Sequence, residues 1–120
     1  MKIAINLFLW TSFVSEEYFY IFENLKAVGY DGVEVPIFSG DEGHYKKLAK
    51  AIKNAGLACT AGSACLPDAN IISLDASIRQ KGIDWLKHVS DLASIIDADV
   101  LCGPLSCPPG IFSGHLPTSQ

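Results

Sequence analysis

Apolar runs and amphipathic stretches alternate along the chain and divide it into four strands and three helices. Residues 2–9 are a run of Ile, Ala, Leu and Phe broken only by Asn6, as expected of a strand buried on both faces in a parallel sheet. Ser15 then stands as the cap of a helix whose first turn holds Glu16 and Glu17, where the helix dipole favours negative charge. Phe19, Phe22, Leu25 and Val28 recur every three residues as its buried stripe.

The next unit is Gly29-Tyr30-Asp31-Gly32-Val33-Glu34-Val35-Pro36. Gly29 can take the left-handed conformation that closes a helix, Asp31-Gly32 reads as a turn, and 33–35 is a β-branched strand broken only by Glu34. Pro36, with no N–H for the ladder, ends it. Phe38-Ser39-Gly40-Asp41 is a loop that can cap a second helix, with Tyr45, Leu48, Ile52 and Ala55 on its apolar face and Gly56 as its stop. A third strand covers 57–62, and 63–72, with Pro67, Asp68 and Asn70, is a loop. Ser73 reads as the cap of a long third helix in which Ile78, Trp85, Leu86, Val89, Leu92 and Ile96 share one side and Trp85 is core. Gly82 inside that helix costs about 1 kcal/mol relative to Ala, so it marks a close helix-to-sheet contact. Asp97-Ala98-Asp99 turns into a fourth strand, 100–102, ending at Gly103-Pro104. Beyond Ser106 no helical period follows, so the chain is expected to stop within a strand-to-helix unit.

The order is βαβαβαβ. Right-handed crossovers leave an open doubly wound sheet or a run of a (β/α)8 barrel. An open nucleotide-binding sheet would carry a glycine-rich first turn, and here that turn is Trp10-Thr11-Ser12-Phe13. A barrel of eight units needs about 250 residues, and four unclosed parallel strands expose two edges and an apolar flank. The expected fold is therefore α/β, the N-terminal half (βαβαβαβ) of a (β/α)8 TIM barrel. It spans 1–120 as one partial domain without internal boundary.

At 120 residues and 49% hydrophobic content, one real core is possible. The net charge of -4 argues against nucleic acid or an anionic membrane as partner, and Lys46, Lys47, Lys50 and Lys53 read as a solvated helix face. The apolar N-terminal run is too short to span a membrane and lacks a small-residue cleavage site, so the expectation is a cytoplasmic protein. Cys59, Cys65, Cys102 and Cys107 have neither zinc-ribbon nor redox spacing and read as buried thiols. His44 and His115 have no ligand-spaced partner, and His88 falls within the third helix.

Met1-Lys2-Ile3-Ala4-Ile5-Asn6 with Trp10, Gly29-Tyr30-Asp31-Gly32-Val33-Glu34-Val35, Ala55-Gly56-Leu57, Ile72-Ser73-Leu74-Asp75-Ala76-Ser77-Ile78-Arg79 and Val100-Leu101-Cys102-Gly103-Pro104 resemble the sugar isomerase/epimerase superfamily of xylose isomerase-like barrels. Within it the resemblance is nearest to the D-tagatose/D-psicose (allulose) 3-epimerase group, over the N-terminal half of that barrel. It implies an enzyme using a divalent metal (manganese, magnesium or cobalt) that moves a proton at the carbon next to a ketose carbonyl. The metal polarises the substrate oxygens, and paired glutamates carry the proton through an enediolate. The family's metal ligands lie in the second half of the barrel, so the resemblance assigns neither a metal ligand nor a catalytic residue here.

What it does carry over is the substrate-lining side: Asn6, Phe8 and Trp10 after strand one, Gly62 at strand three, and Pro104 with Leu105 after strand four. A small-molecule ketose is the implied partner, with a homo-oligomer as the full-length form. Two departures stand out. Asn6 replaces an aromatic residue of the 3-epimerases, and Pro108-Pro109 stands where they carry a tryptophan. Hydroxypyruvate isomerase-like and inosose dehydratase-like activities remain open, as do a non-catalytic half-barrel interaction module and a small open-sheet binding domain.

The individual residues carry two readings each. Glu34, a charge at the carboxyl end of a parallel strand, either bonds a sugar hydroxyl or steadies a catalytic group, or else is paired with neighbouring barrel residues. Asn6 either points into a polar barrel mouth or is idle within the strand, and the first is favoured because an unpartnered buried amide is costly. Phe8 and Trp10 line a pocket or belong to the core. Gly62 and Gly103 admit a ligand close to the backbone or mark strand ends.

Overall fold

Three helix endings set where each following strand begins. Gly29 (φ 102°), Gly56 (φ 70°) and Asp97 (φ 56°) take the left-handed conformation. The next N–H then reaches back five residues: Tyr30 to the Leu25 carbonyl (3.1 Å), Leu57 to Ile52 (3.2 Å) and Ala98 to Ala93 (3.1 Å). These are Schellman closures, which satisfy carbonyls that a helix end leaves bare. Glycine takes this conformation without penalty, whereas Asp97 is tolerated as one of the few side chains that visit it.

The structure, a computed structural model, describes residues 1–110. Strands β1 (Ala4–Asn6), β2 (Gly32–Pro36), β3 (Ala58–Gly62) and β4 (Leu101–Cys102) form one parallel sheet in the order β1-β2-β3-β4, with α1 (Tyr20–Ala27), α2 (Glu42–Asn54) and α3 (Ala76–Ile95) as crossovers. The α/β class and the strand order match the expected barrel portion. Consecutive right-handed crossovers place the helices on one face. There Val33, Val35, Cys59 and Ala61 meet Ile21, Phe22 and Leu25 of α1, Tyr45, Leu48 and Ile52 of α2, and Val89, Leu92 and Ala93 of α3 in a single core. With a side-chain period of two, the intervening residues form the other face in three rows: Ala4, Gly32 and Ala58; Asn6, Glu34 and Thr60; Pro36, Gly62 and Cys102.

Several expectations are corrected. The first strand is neither eight residues long nor buried on both faces: Ala4 and Asn6 are exposed, and Leu7–Leu9 is a 3-10 turn in which only Leu7 is buried. Asn6 causes the break, because its Oδ1 accepts the Phe8 N–H at 2.7 Å and offers the backbone an alternative to the ladder. Ser15 makes no backbone cap; its hydroxyl donates to Glu17 Oε1, a 3-10 turn Glu16–Tyr18 follows, and α1 starts at Tyr20. The α1 stripe is Ile21, Phe22 and Leu25, while Val28, at the helix cap, is exposed. Asp31-Gly32 is no turn. The Asp31 N–H already donates to the Ile3 carbonyl, and its carboxylate takes the Ile3 N–H at 2.8 Å.

In the third unit, Asp75 and not Ser73 caps α3, with Oδ1 accepting the Ser77 N–H at 2.7 Å. Gly82 packs against the loop and not against the sheet: a Cβ there would stand 2.6–2.8 Å from the backbone of Asn70. Trp85 is half-buried at the edge of the core, its indole N–H donating to the Ala64 carbonyl at 2.9 Å. Asp41 caps α2 as expected, through the His44 N–H at 2.9 Å. His115 lies outside the described residues.

The start of α2 is clamped onto the segment after β1. The His44 ring stacks on Phe13 (centroids 4.3 Å, 23°) and meets Tyr45 edge-on, and Lys47 pairs with Glu16 at 2.6 Å beside it. Among the described residues, His44 Nε2 is buried without a hydrogen-bond partner. Burial chiefly pulls the His44 pKa below 6.5, against the charges of Asp41 and Glu16, with Lys47 adding to the lowering. The unfolded chain therefore binds a proton that the folded chain refuses, and stability falls as pH drops from about 6.5 towards the lowered value. In urea titrations across this window, His44→Phe is expected to flatten that acid-side loss. A variant with the same pH slope as the parent would show that His44 does not cause it.

Candidate functional site

The parallel register brings side chains from all four strands to one spot. Asn6 of β1 pairs with Glu34 of β2, which pairs with Thr60 of β3; one row on, Pro36 pairs with Gly62, and Gly62 with Cys102 of β4. The Glu34 carboxylate leans diagonally across Gly62 towards β4. Its Oε1 accepts from Asn6 Nδ2, and its Oε2 accepts from Cys102 Sγ at 3.2 Å. A Cβ at Gly62 would stand 3.3 Å from Oε1, so glycine leaves the space the carboxylate occupies. Asn6 uses both ends of its amide, the nitrogen on Glu34 and the oxygen on the Phe8 N–H, which fixes its orientation.

The loops after β3 and β4 continue the pairing. Ser63 N–H donates to the Cys102 carbonyl and Cys65 N–H to the Pro104 carbonyl, both at 3.0 Å. The Ser63 hydroxyl donates to the Ile37 carbonyl at 2.7 Å. Gly103 has φ 129°, and a Cβ there would fall 2.0 Å from the Ser63 carbonyl oxygen. Above this floor, Phe8 and Phe38 pack with ring centroids 5.6 Å apart at 54°. The cavity, open to solvent, is about 190 Å³, and among the described residues Glu34 is its only charged lining residue.

Cys102 is held as a thiol. Its pKa is raised first by its hydrogen bond to Glu34, then by burial and the carboxylate's charge. Burial pushes Cys59 up to about 12, with the charge of Asp97 adding to it. Among the described residues no group of three or more His, Cys, Asp or Glu stands together to hold a metal ion. Around Glu34 the neighbours are an amide N–H and a thiol S–H. They are donors suited to an anion, so these residues do not fit a divalent cation. The arrangement can accept a hydrogen bond from a hydroxyl-bearing molecule lying beside the Phe8–Phe38 ring pair.

Of the residues singled out from the sequence, Asn6, Phe8, Glu34, Gly62 and Pro104 line this cavity, whereas Trp10 and Leu105 do not. Trp10 ends the 3-10 turn and is 43% exposed; Leu105 is half-buried and its carbonyl takes the Cys65 thiol. Pro36, Phe38, Ser63 and Cys102 were not anticipated as lining. Cys102 is exposed, against the expectation of a buried thiol. A signal for it existed: Glu34 and Cys102 each stand two residues before a strand-ending proline, Pro36 and Pro104. Gly103 directly follows the end of β4 and lines the cavity, and its bare backbone is also pressed on Ser63.

The family model for xylose isomerase-like TIM barrels matches residues 22–118. Solved structures with the same fold include a D-psicose 3-epimerase in the presence of D-fructose, 21% identical with a TM-score of 0.81 over 98% of this chain and 42% of that one. An L-ribulose 3-epimerase is 23% identical with a TM-score of 0.84, over 98% of this chain and 40% of that one. A D-allulose 3-epimerase from Methylomonas sp. in complex with D-allulose is 19% identical with a TM-score of 0.82, over 95% and 40%. The chain thus spans about two fifths of the length of these structures. No curated protein matches it.

Two glycines test the geometry separately. Gly103→Ala forces a methyl into backbone and is expected to cost at least ~3 kcal/mol, read as a large fall in the urea midpoint. Gly62→Ala meets only the end of a flexible side chain and is expected to cost less than about 1 kcal/mol while shifting Glu34. Equal costs for the two would contradict these contacts.

Proposed function

The chain belongs to the family of xylose isomerase-like TIM barrels, and on that footing we propose that it is the N-terminal part, about strands one to four, of a carbohydrate epimerase or isomerase. The proposed reaction is of the ketose 3-epimerase type, proton transfer next to the carbonyl of a small-molecule ketose through an enediolate. The observation that carries this reading is Glu34, a carboxylate at the carboxyl end of a parallel strand with Phe8 and Phe38 beside it.

In this reading the chain's own residues bind and orient the sugar. Glu34 takes a sugar hydroxyl, Asn6 holds the carboxylate in place, and Phe8 and Phe38 cover the C–H face and exclude water. Gly62 gives the carboxylate room, Pro104 closes the rim, and Trp10 and Leu105 stand further out. The divalent metal implied by the resemblance has no place among the described residues, so the role assigned here is confined to binding. The 120-residue chain is one partial domain and inactive alone; the full-length isomerase is a cytoplasmic homo-oligomer that uses neither nucleic acid nor membrane. Support for the last point is the net charge of -4, together with the fact that no helix of the described residues is long and apolar enough to cross a membrane.

The expected outcome is no turnover of D-fructose, D-tagatose or D-psicose by the 120-residue chain with manganese, and turnover by a product in which it is continued to barrel length. In that product Glu34→Gln is expected to lower kcat/KM about 10- to 100-fold, chiefly through KM, as for loss of a hydrogen bond to a charged group worth about 1.5–3 kcal/mol. Turnover by the chain alone would refute the placing of the catalytic groups elsewhere, and an unaltered Glu34→Gln enzyme would refute the role of Glu34.

A further inference from the structure

The two oxygens of Glu34 are held by partners of unequal strength. Oε1 has an amide N–H from Asn6, while the donor to Oε2 among the described residues is a thiol S–H, a weak donor, at 3.2 Å. The thiol reaches Oε2 across the gap left by Gly62, from a residue that is exposed and lines the cavity. Cys59 and Cys65 are buried and donate to backbone carbonyls, so Cys102 differs from them in having a charged acceptor.

We infer that Cys102 is a positioning residue, a placeholder whose thiol occupies Glu34 Oε2 and yields it to a hydroxyl of a bound sugar. The inference rests on the reading of this cavity as a ketose site. An O–H donor bonds a carboxylate more strongly and at shorter range than S–H, so exchange favours the ligand. A serine at this position would hold Oε2 against the incoming hydroxyl. An alanine would leave the oxygen bare whenever the ligand offered no donor there, and an unpaired acceptor discriminates sharply against such ligands. The thiol stands between these cases. It keeps Glu34 satisfied under a stereoisomer whose hydroxyl turns away, so the cavity accepts two epimers with similar affinity.

The pairing is tested first without sugar, by alkylating the natural protein with iodoacetamide across pH and quantifying the Cys102 peptide by mass spectrometry. In Glu34→Gln the alkylation midpoint is expected at lower pH than in the parent; an unmoved midpoint overturns the placeholder role. Binding of D-psicose and D-fructose, which differ only at carbon three, is then compared in the parent, Cys102→Ala and Cys102→Ser. The expected result is a ratio of affinities near one in the parent, roughly ten in Cys102→Ala, and both sugars weakened several-fold in Cys102→Ser. Sugar binding with the same ratio in the parent and Cys102→Ala overturns the placeholder role while leaving the ketose site standing. Absence of binding by either sugar to the parent overturns both.

Discussion

One carboxylate ties the carboxyl end of the sheet together. Glu34 on β2 takes a donor from Asn6 on β1 and another from Cys102 on β4, and Gly62 on β3 is bare so that the side chain can pass. A carboxylate removed even partly from water must be paired, or the loss of solvation outweighs the packing around it. The identities of these four residues are therefore linked through one group. Asn6 extends the linkage into the backbone, since its oxygen turns the chain after β1 and presents Phe8 to the cavity.

The opposite end of the sheet is organised by backbone conformation. Three Schellman closures deliver the chain from each helix into the next strand, and the ladder begins immediately, as with Asp31 bonding Ile3 on one side and Ala58 on the other. Register set at that end is carried along each strand at the period of two. It therefore decides that Val33 and Val35 face the helices while Glu34 faces the cavity. A slip of one residue at Gly29 would bury the glutamate and expose both valines.

The sequence was most informative where one residue acts on its own backbone. Gly29, Gly56 and the Asp41 cap were legible because φ preference and Asx capping are local properties. So were Tyr45, Leu48 and Ile52 of α2 and Val89, Leu92 and Ile96 on the α3 side, whose burial follows from helical spacing, whereas Ile78, Trp85 and Leu86 of the expected α3 stripe are only half-buried. The first strand misled, since an apolar run predicts burial without indicating that Asn6 would divert the backbone into a turn. Ser73 and Asp75 are both capping residue types; in the structure Asp75 Oδ1 takes the Ser77 N–H, while the Ser73 hydroxyl oxygen takes the Asp75 N–H. Five of the seven residues chosen for the site came together. Those missed, Pro36, Phe38, Ser63 and Cys102, arrive through register and loop pairing between distant segments, which spacing along one chain does not express.

The two faces of the sheet differ in how complete they are. On the helix side Val33, Val35 and Ala61 reach 0% exposure within the described residues. On the other side the lowest row is Ala4, Gly32 and Ala58, with the Gly32 position 2.8 Å from the Ala58 carbonyl were a Cβ present. Side chains this small cannot fill the interior of a barrel, where layers are normally built from bulky branched residues contributed by alternate strands. In a closed barrel the volume over this row must come from strands opposite, and their side chains would also wall the cavity beneath Glu34. The row of Asn6, Glu34 and Thr60 is thus positioned by this chain, while in a closed barrel the depth of the site below it would be set by the facing strands.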